Sequence, residues 1–436
     1  MNLKRAIASA ALPALVACSG GDSGGTTPTN EPPKLVFATT ALAVAKSTAV
    51  DLSVTATDAD DDPLTITWQI TRGALAPQNS QKTVMRWTTP SSVGIDTVKV
   101  QVTDGNFTRS LTAEIKVGTP FNQLFAPVTF TKANSPYILT TNAVTPKVTV
   151  AGGNTTTIEP GTEILINTAG TYISVLGELD AHGTADEPIV IRPNNRTFTC
   201  GDDRGWWEGI RAATDDAVPS DGFVDFEYVE IWDAKDGVRL RDNSSALLRE
   251  CKIRCSGSSG ALVEGNGSLR VLDSQISDGK TDGIVISAIS SLPDSVRIER
   301  CTLDFNGNAG IRMDLQDVFN AAPIIVEFNE IEFNGAHGIS LAHAVFPHIH
   351  FNAFRGNGDN TISNLFLQAG YPNPATQAQL DATCNYWGSS ASAQSTIDAS
   401  IRDSFDTSTV YTRVVSSPWL NTSPITTTPN CTPPNP

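Results

Sequence analysis

The chain has 436 residues, more than one typical domain, and carries 30 Lys and Arg against 46 Asp and Glu, a formal charge of −16. If Lys4 and Arg5 leave with a cleaved leader, 28 basic residues face 46 acidic ones and the charge is −18. That surplus argues against nucleic acid and anionic lipid surfaces as partners, and beyond the leader no apolar run reaches the 18 or so residues that span a bilayer.

Residues 1–17 have a basic start, an apolar stretch from Ala6 to Val16 and small residues before a cysteine, the layout of a secretory leader. Leu15-Val16-Ala17-Cys18 resembles the lipobox of bacterial lipoproteins. The resemblance implies cleavage before Cys18, lipidation of Cys18, and membrane attachment through that N-terminal lipid alone. Ser19-Gly20-Gly21-Asp22 has no Asp directly after the cysteine, which by the same analogy implies the outer membrane or cell surface. An ordinary secretory leader with an incidental cysteine fits the same residues. Residues 18–33 are rich in Gly, Ser, Thr and Pro, a flexible tether.

Residues 34–118 alternate apolar and polar side chains in short runs such as Val50-Asp51-Leu52-Ser53-Val54 and Val98-Lys99-Val100-Gln101-Val102, with Asp- and Gly-rich turns between them. The pattern predicts a small β-sandwich. Val54 to Trp68, with Val102-Thr103-Asp104-Gly105, resembles the Ig-like and cadherin-like modules of bacterial surface proteins. Asp58, Asp60 and Asp62 are candidate calcium ligands, because hard cations take clustered carboxylates. With Asp61 they equally fit a solvated acidic turn before Pro63.

After a connector at 119–147, a loose repeat occupies 148–383. Gly-apolar-x-apolar returns at Gly237, Gly260, Gly283, Gly310 and Gly338, spaced 23, 23, 27 and 28 residues apart. A second anchor, Ile231, Ile253, Ile276, Leu303, Ile331 and Phe354, keeps nearly the same step. Periods of this size mark a solenoid, in which each repeat buries its apolar face only against its neighbours. Inside a repeat the period is two, and no stretch with helical periodicity separates the strands. The expected fold is all-β: a right-handed parallel β-helix behind the sandwich, three short strands per coil, coils stacked about 4.8 Å apart. Asn306-Gly307, Asn334-Gly335 and Asn357-Gly358 are expected to supply positive φ at tight corners.

The opening segments, among them Thr157-Ile158-Glu159-Pro160-Gly161-Thr162 and Trp206-Trp207-Glu208-Gly209-Ile210, resemble the first coils of bacterial surface β-helix proteins of the broad pectate-lyase-like group. Asn385-Tyr386-Trp387-Gly388 and Ser417-Pro418-Trp419-Leu420 resemble the same group's terminal cap, here 384–420, before a Pro- and Thr-rich tail at 421–436. That group includes enzymes and adhesins, so the resemblance implies fold rather than activity.

Column alignment places Cys251, Ser274, Cys301, Asn329 and Asn352 at one inward position. Two coils, roughly 9.6 Å, separate Cys251 from Cys301, beyond disulfide reach, so both are expected as core thiols. Cys384 and Cys431 are expected to bridge cap and tail, leaving Cys200 and Cys255 as the remaining pair. His343, His348 and His350 fall near one corner; with His348 outward and Ile349 inward, His348 and His350 read as a surface pair, with a metal role as the alternative.

No cluster of three acids stands on the outward column of the Gly-led strand, which reads Arg239, Leu262, Val285, Arg312, Ser340, followed by Arg241, Glu264, Ser287, Asp314, Ala342. A lyase needs a base beside a cation, and a hydrolase two opposed carboxylates. Arg239, Arg241 and Arg312 are candidate ligand-binding cations, and Trp207 a candidate stacking platform for a sugar, with Trp206 in the core. No catalytic residue is assigned and no cofactor is required unless calcium is bound. The reading is an envelope-anchored protein that presents a β-helix to an extended polymer, most simply polysaccharide. A polysaccharide lyase or hydrolase on the same scaffold, and a structural envelope protein or adhesin, remain as alternatives.

Overall fold

The computed structural model describes residues 30–38, 43–124, 126–141, 146–196, 198–212, 221–288, 295–315, 324–342, 346–358, 364–367, 379–388, 393–403, 413–424 and 431–432. The leader, Cys18, nearly all of the tether and most of the tail lie outside the described residues. So does His343.

The alternating segments of the N-terminal unit pair as two antiparallel sheets. Lys34–Phe37, Ala49–Thr57, Val84–Thr88 and Ala74–Pro77 form one, while Thr65–Ile70, Gly94–Thr103 and Thr108–Phe121 form part of the other. Their inner faces close over Leu52, Trp87, Val98, Val100 and Val117. The Trp87 indole satisfies its buried N–H on the Arg72 carbonyl at 3.0 Å.

This second sheet continues into the solenoid. Thr108–Phe121 pairs in parallel with Tyr137–Leu139, which pairs with Glu163–Ile166, so one 13-stranded sheet runs through both units. Glu163 accepts from Lys116 of the sandwich at 2.5 Å and from Arg192 Nε and Nη2 at 3.0 and 2.6 Å. The Asn194 side chain exchanges two 2.9 Å bonds with the backbone of Ala43. The sandwich therefore covers the strand edges that an open first coil would leave unpaired. Residues 119–147 are more than a connector, since Val128–Phe130 and Tyr137–Leu139 already belong to coil sheets. Their short strands, separated by a Pro- and Asn-containing turn, hide the period.

From there the chain winds as a parallel β-helix with three sheets. The glycine-led sheet is 10-stranded, from Lys147–Val150 to Ile401–Arg402. A second, 9-stranded sheet runs from Val128–Phe130 to His348–His350. The third, the corner sheet, holds the short strands, including Lys252–Arg254, Gln275–Ser277, Thr302–Asp304, Glu330–Glu332 and Ala353–Arg355. The second anchor of the repeat is its inward column: Ile231, Ile253, Ile276, Leu303, Ile331 and Phe354 align residue for residue and are buried.

Both ends of each short corner strand carry a residue with left-handed backbone. Before the strand these are Glu250, Asp273, Arg300, Phe328 and Phe351; after it, Cys255, Asp278, Phe305, Phe333 and Gly356. Positive φ thus falls on the residue before each asparagine; of the three Asn-Gly corners only Gly358 is left-handed as expected, while Gly307 and Gly335 are not. The asparagines point inward instead. Asn334 Nδ2 donates to the Leu303 carbonyl and to Asn357 Oδ1, both at 2.9 Å, while its own Oδ1 accepts from Asn306 N at 3.1 Å and Nδ2 at 3.0 Å. Asn329, Asn352 and Asn385 repeat the device at the other corner. The side-chain ladder satisfies the backbone groups that the turn frees from the sheet, which offsets the cost of about 1–2 kcal/mol for each non-glycine residue held left-handed.

Cys251 and Cys301 are free and buried, and burial pushes both thiols up to about 12. Cys384–Cys431 and Cys200–Cys255 are disulfides. At the C-terminal end, Trp387 stacks on Phe354 at 4.9 Å and closes the column. Among the described residues no helix is long and apolar enough to cross a membrane.

Candidate ligand-binding face

The outer face of the glycine-led sheet gathers most of the candidate residues. Its leading glycines let the strand enter under the inward column: a Cβ at Gly260 would lie 2.2 Å from Ile276 Cγ2. The aligned register is observed, with Arg239, Leu262, Val285, Arg312 and Ser340 side by side on successive coils.

Each candidate arginine has a carboxylate from a neighbouring coil or strand position. Arg239 Nε donates to Glu264 Oε2 at 2.6 Å, and Arg241 Nη2 reaches the same oxygen at 3.3 Å. Arg312 Nε donates to Asp282 Oδ2 at 3.0 Å, and its Nη1 lies 4.0 Å from Asp314 Oδ2. Asp282 is buried and also accepts from Asn308 Nδ2 at 2.6 Å and the Ala309 amide at 3.1 Å. Toward the N-terminal end, Arg211 donates to Glu208 at 2.5 Å and lies 4.3 Å over the Tyr172 ring. These sets are only partly exposed and hold donors and acceptors side by side, Arg239 and Arg241 sharing one carboxylate and Arg312 lying between two.

The same outward column extends past Ser340 to Phe366 and Arg402. His337 stacks on Phe366 with ring centroids 4.1 Å apart, and the Arg402 guanidinium lies 4.7 Å from that ring. Burial holds the His337 pKa below the ordinary histidine value, Arg402 lowers it further, and Asp282 opposes the shift. Phe366 and Arg402 were not legible as site residues, because long intervals between Ala342 and Ile401 break the spacing and neither strand is led by glycine. The remaining signal is the triplet Leu365-Phe366-Leu367, apolar inward on both sides of an outward ring.

Other candidates fall elsewhere. Trp207 is fully buried, bridges to Ala234 and donates to the Trp232 carbonyl at 2.9 Å, so it is no stacking platform; Trp206 is the partly exposed one. Positive φ at Gly205 and Gly209, on either side of the pair, breaks the strand alternation and exchanges their directions. Trp232 is the outward indole, on the corner sheet beside Phe198 at 4.9 Å and Arg254 at 5.5 Å.

Asp58, Asp60 and Asp62 lie in one turn: Asp58 Oδ1 accepts from the amides of Asp60 and Asp62 at 2.9 and 3.4 Å. Burial raises the Asp62 pKa, with Asp58, Asp60 and Asp104 adding to it. Among the described residues no group of three or more His, Cys, Asp or Glu is arranged to hold a metal ion. His348 and His350 flank a buried Ile349 with rings 6.3 Å apart, but only His348 is partly exposed; His350 is buried, not on the surface, because the cap covers it, its Nδ1 3.0 Å from the Thr383 carbonyl.

Residues 207–371 match the family described as right handed beta helix region, and residues 30–117 match bacterial Ig domain. No curated protein and no solved structure matches the chain.

Proposed function

We propose that this chain, an Ig-type module joined to a right-handed parallel β-helix, is a cell-envelope lipoprotein attached through Cys18 that binds an extended polysaccharide without cleaving it. The observation that carries the reading is the repetition of paired Arg–carboxylate sets, Arg239/Glu264/Arg241 and then Asp282/Arg312/Asp314, across successive coils of one sheet. Donors and acceptors recur along the solenoid axis, as an extended chain of hydroxyl-bearing units requires. Because the arginines are paired and the chain carries −16, a neutral or sparsely charged polymer fits better than a dense polyanion.

A glycan array combined with a turnover survey tests the reading. Binding with no unsaturated and no reducing-end products is expected, and joint replacement of Arg239 and Arg312 by Ala is expected to weaken it. Released products would make the protein an enzyme, and absence of any binding would favour a structural envelope role. For the anchor, Cys18→Ser is expected to abolish acyl labelling; unchanged detergent partitioning of that variant would contradict the lipid attachment.

A further inference from the structure

The arginines of the glycine-led face differ in one respect. Arg211, Arg239, Arg241 and Arg312 each meet a carboxylate, whereas Arg402 has no carboxylate within ion-pair distance among the described residues. Its guanidinium is instead held against the Phe366 ring, half-buried at the C-terminal end of the column. On the same ring stacks His337, whose Nδ1 is shielded from solvent and has no hydrogen-bond partner. A guanidinium fixed by an aromatic ring loses little freedom when it meets a planar acceptor.

We propose that Arg402, ordered against Phe366 with His337 on the other neighbouring coil of the same stack, is the subsite for a single carboxylate carried by the polysaccharide. The inference rests on the polymer-binding reading and deepens it. Carboxylate is the matching chemistry because its two oxygens fit the guanidinium fork in one plane. A sparse substituent is implied, since among the described residues Arg402 is the arginine of this face that meets no carboxylate, and a chain of charge −16 repels a dense anionic array.

The charged groups around His337 set a pH signature. Arg402 on the following coils disfavours its protonation, Asp282 favours it, and Asp282 is itself paired with Arg312, next to Asp314. A carboxylate bound at Arg402 offsets the cation that lowers the His337 pKa. Binding therefore raises that pKa and takes up protons, and by reciprocity affinity strengthens as pH falls through it.

The test uses the full chain with three probes: an oligosaccharide bearing one carboxylate per repeat, its carboxyl-reduced counterpart, and a sulfate-ester analogue. Arg402→Gln is expected to bind the carboxylated probe at least about tenfold more weakly while binding the reduced probe as the parent does. Arg402→Lys, which keeps the charge without the fork, is expected to fall between and guards against a folding defect. In NMR titrations, with the signal assigned through His337→Gln, the His337 pKa is expected to rise with the carboxylated probe only. Equal effects of Arg402→Gln on both probes, or a His337 pKa unmoved at saturation, would overturn the subsite while leaving polymer binding intact. Arg402-dependent binding of the sulfated probe as strong as that of the carboxylated one would overturn the carboxylate assignment. Failure of the parent to bind even the reduced probe would instead remove the polymer-binding reading on which the subsite rests.

Discussion

Replacing Asn334 by Ala should unlock one corner of the solenoid. Asn334 is buried, and its side chain takes part in four hydrogen bonds. Truncation leaves the Asn306 amide without its acceptor and takes the side-chain donor from the Leu303 carbonyl. At about 1–3 kcal/mol for each buried group left unsatisfied, the cost is about 2–6 kcal/mol. Asn306 Nδ2 keeps the Ile276 carbonyl at 3.3 Å and Asn357 Oδ1 keeps the Asn334 amide at 3.2 Å, so the loss does not spread along the whole ladder. Asn266→Ala is the control: its side-chain bond to Asn243 is exposed, and a change within about 0.5 kcal/mol is expected. Because coils unfold locally, urea denaturation should be read together with hydrogen exchange over residues 301–315 and 330–342. Exchange in those coils should accelerate in Asn334→Ala and stay unchanged in Asn266→Ala. Equal tolerance of the two changes would refute the role of the inward asparagine ladder.

Register is tested by Ile276→Asp, which puts an unpaired charge inside the coil and should cause local unfolding, against Thr302→Asp, beside the inward Leu303, which should be mild. Glu163→Gln leaves Arg192 nearly buried without its counter-ion and should cost about 3–5 kcal/mol at the sandwich–solenoid junction, measured by denaturation. Cys251 and Cys301, pushed up to about 12 by burial, should resist alkylation in the native protein at pH 8 and react on unfolding; rapid native labelling would contradict their inward column. Cys431→Ser should lower stability by about 2–4 kcal/mol through release of the cap–tail bridge, read as a fall in the denaturation midpoint.

The repeat was legible because burial imposes it: a residue facing the axis must be apolar or satisfied on every coil, so Ile231 through Phe354 keep their spacing. Cys251, Ser274 and Asn329 were legible as one column for the same reason. The corner chemistry was less so. Asn-Gly is a strong local signal for positive φ and holds at Gly358, but at the two preceding corners the amide side chain serves the ladder while Phe305 and Phe333 take the left-handed backbone, stacking at 5.4 Å. Trp206 and Trp207 exchange the directions that strand alternation predicts, because the left-handed Gly205 and Gly209 interrupt it. The candidate face was legible as far as Ser340. That Arg239, Arg241 and Arg312 meet carboxylates depends on which rotamers reach across coils, which one-dimensional spacing does not encode. Phe366 and Arg402 join it only through pairing across intervals of irregular length.

The central claim is that the glycine-led face binds the polymer. Carboxyl footprinting of the full chain, with and without the oligosaccharide that an array selects, tests it most directly. Bound sugar should slow labelling of Glu264 and Asp314 on that face, leave Glu230 and Glu332 on the corner sheet unchanged, and be recovered intact. Protection confined to the corner sheet, or unaltered labelling of Glu264 and Asp314 at saturating ligand, would contradict the account.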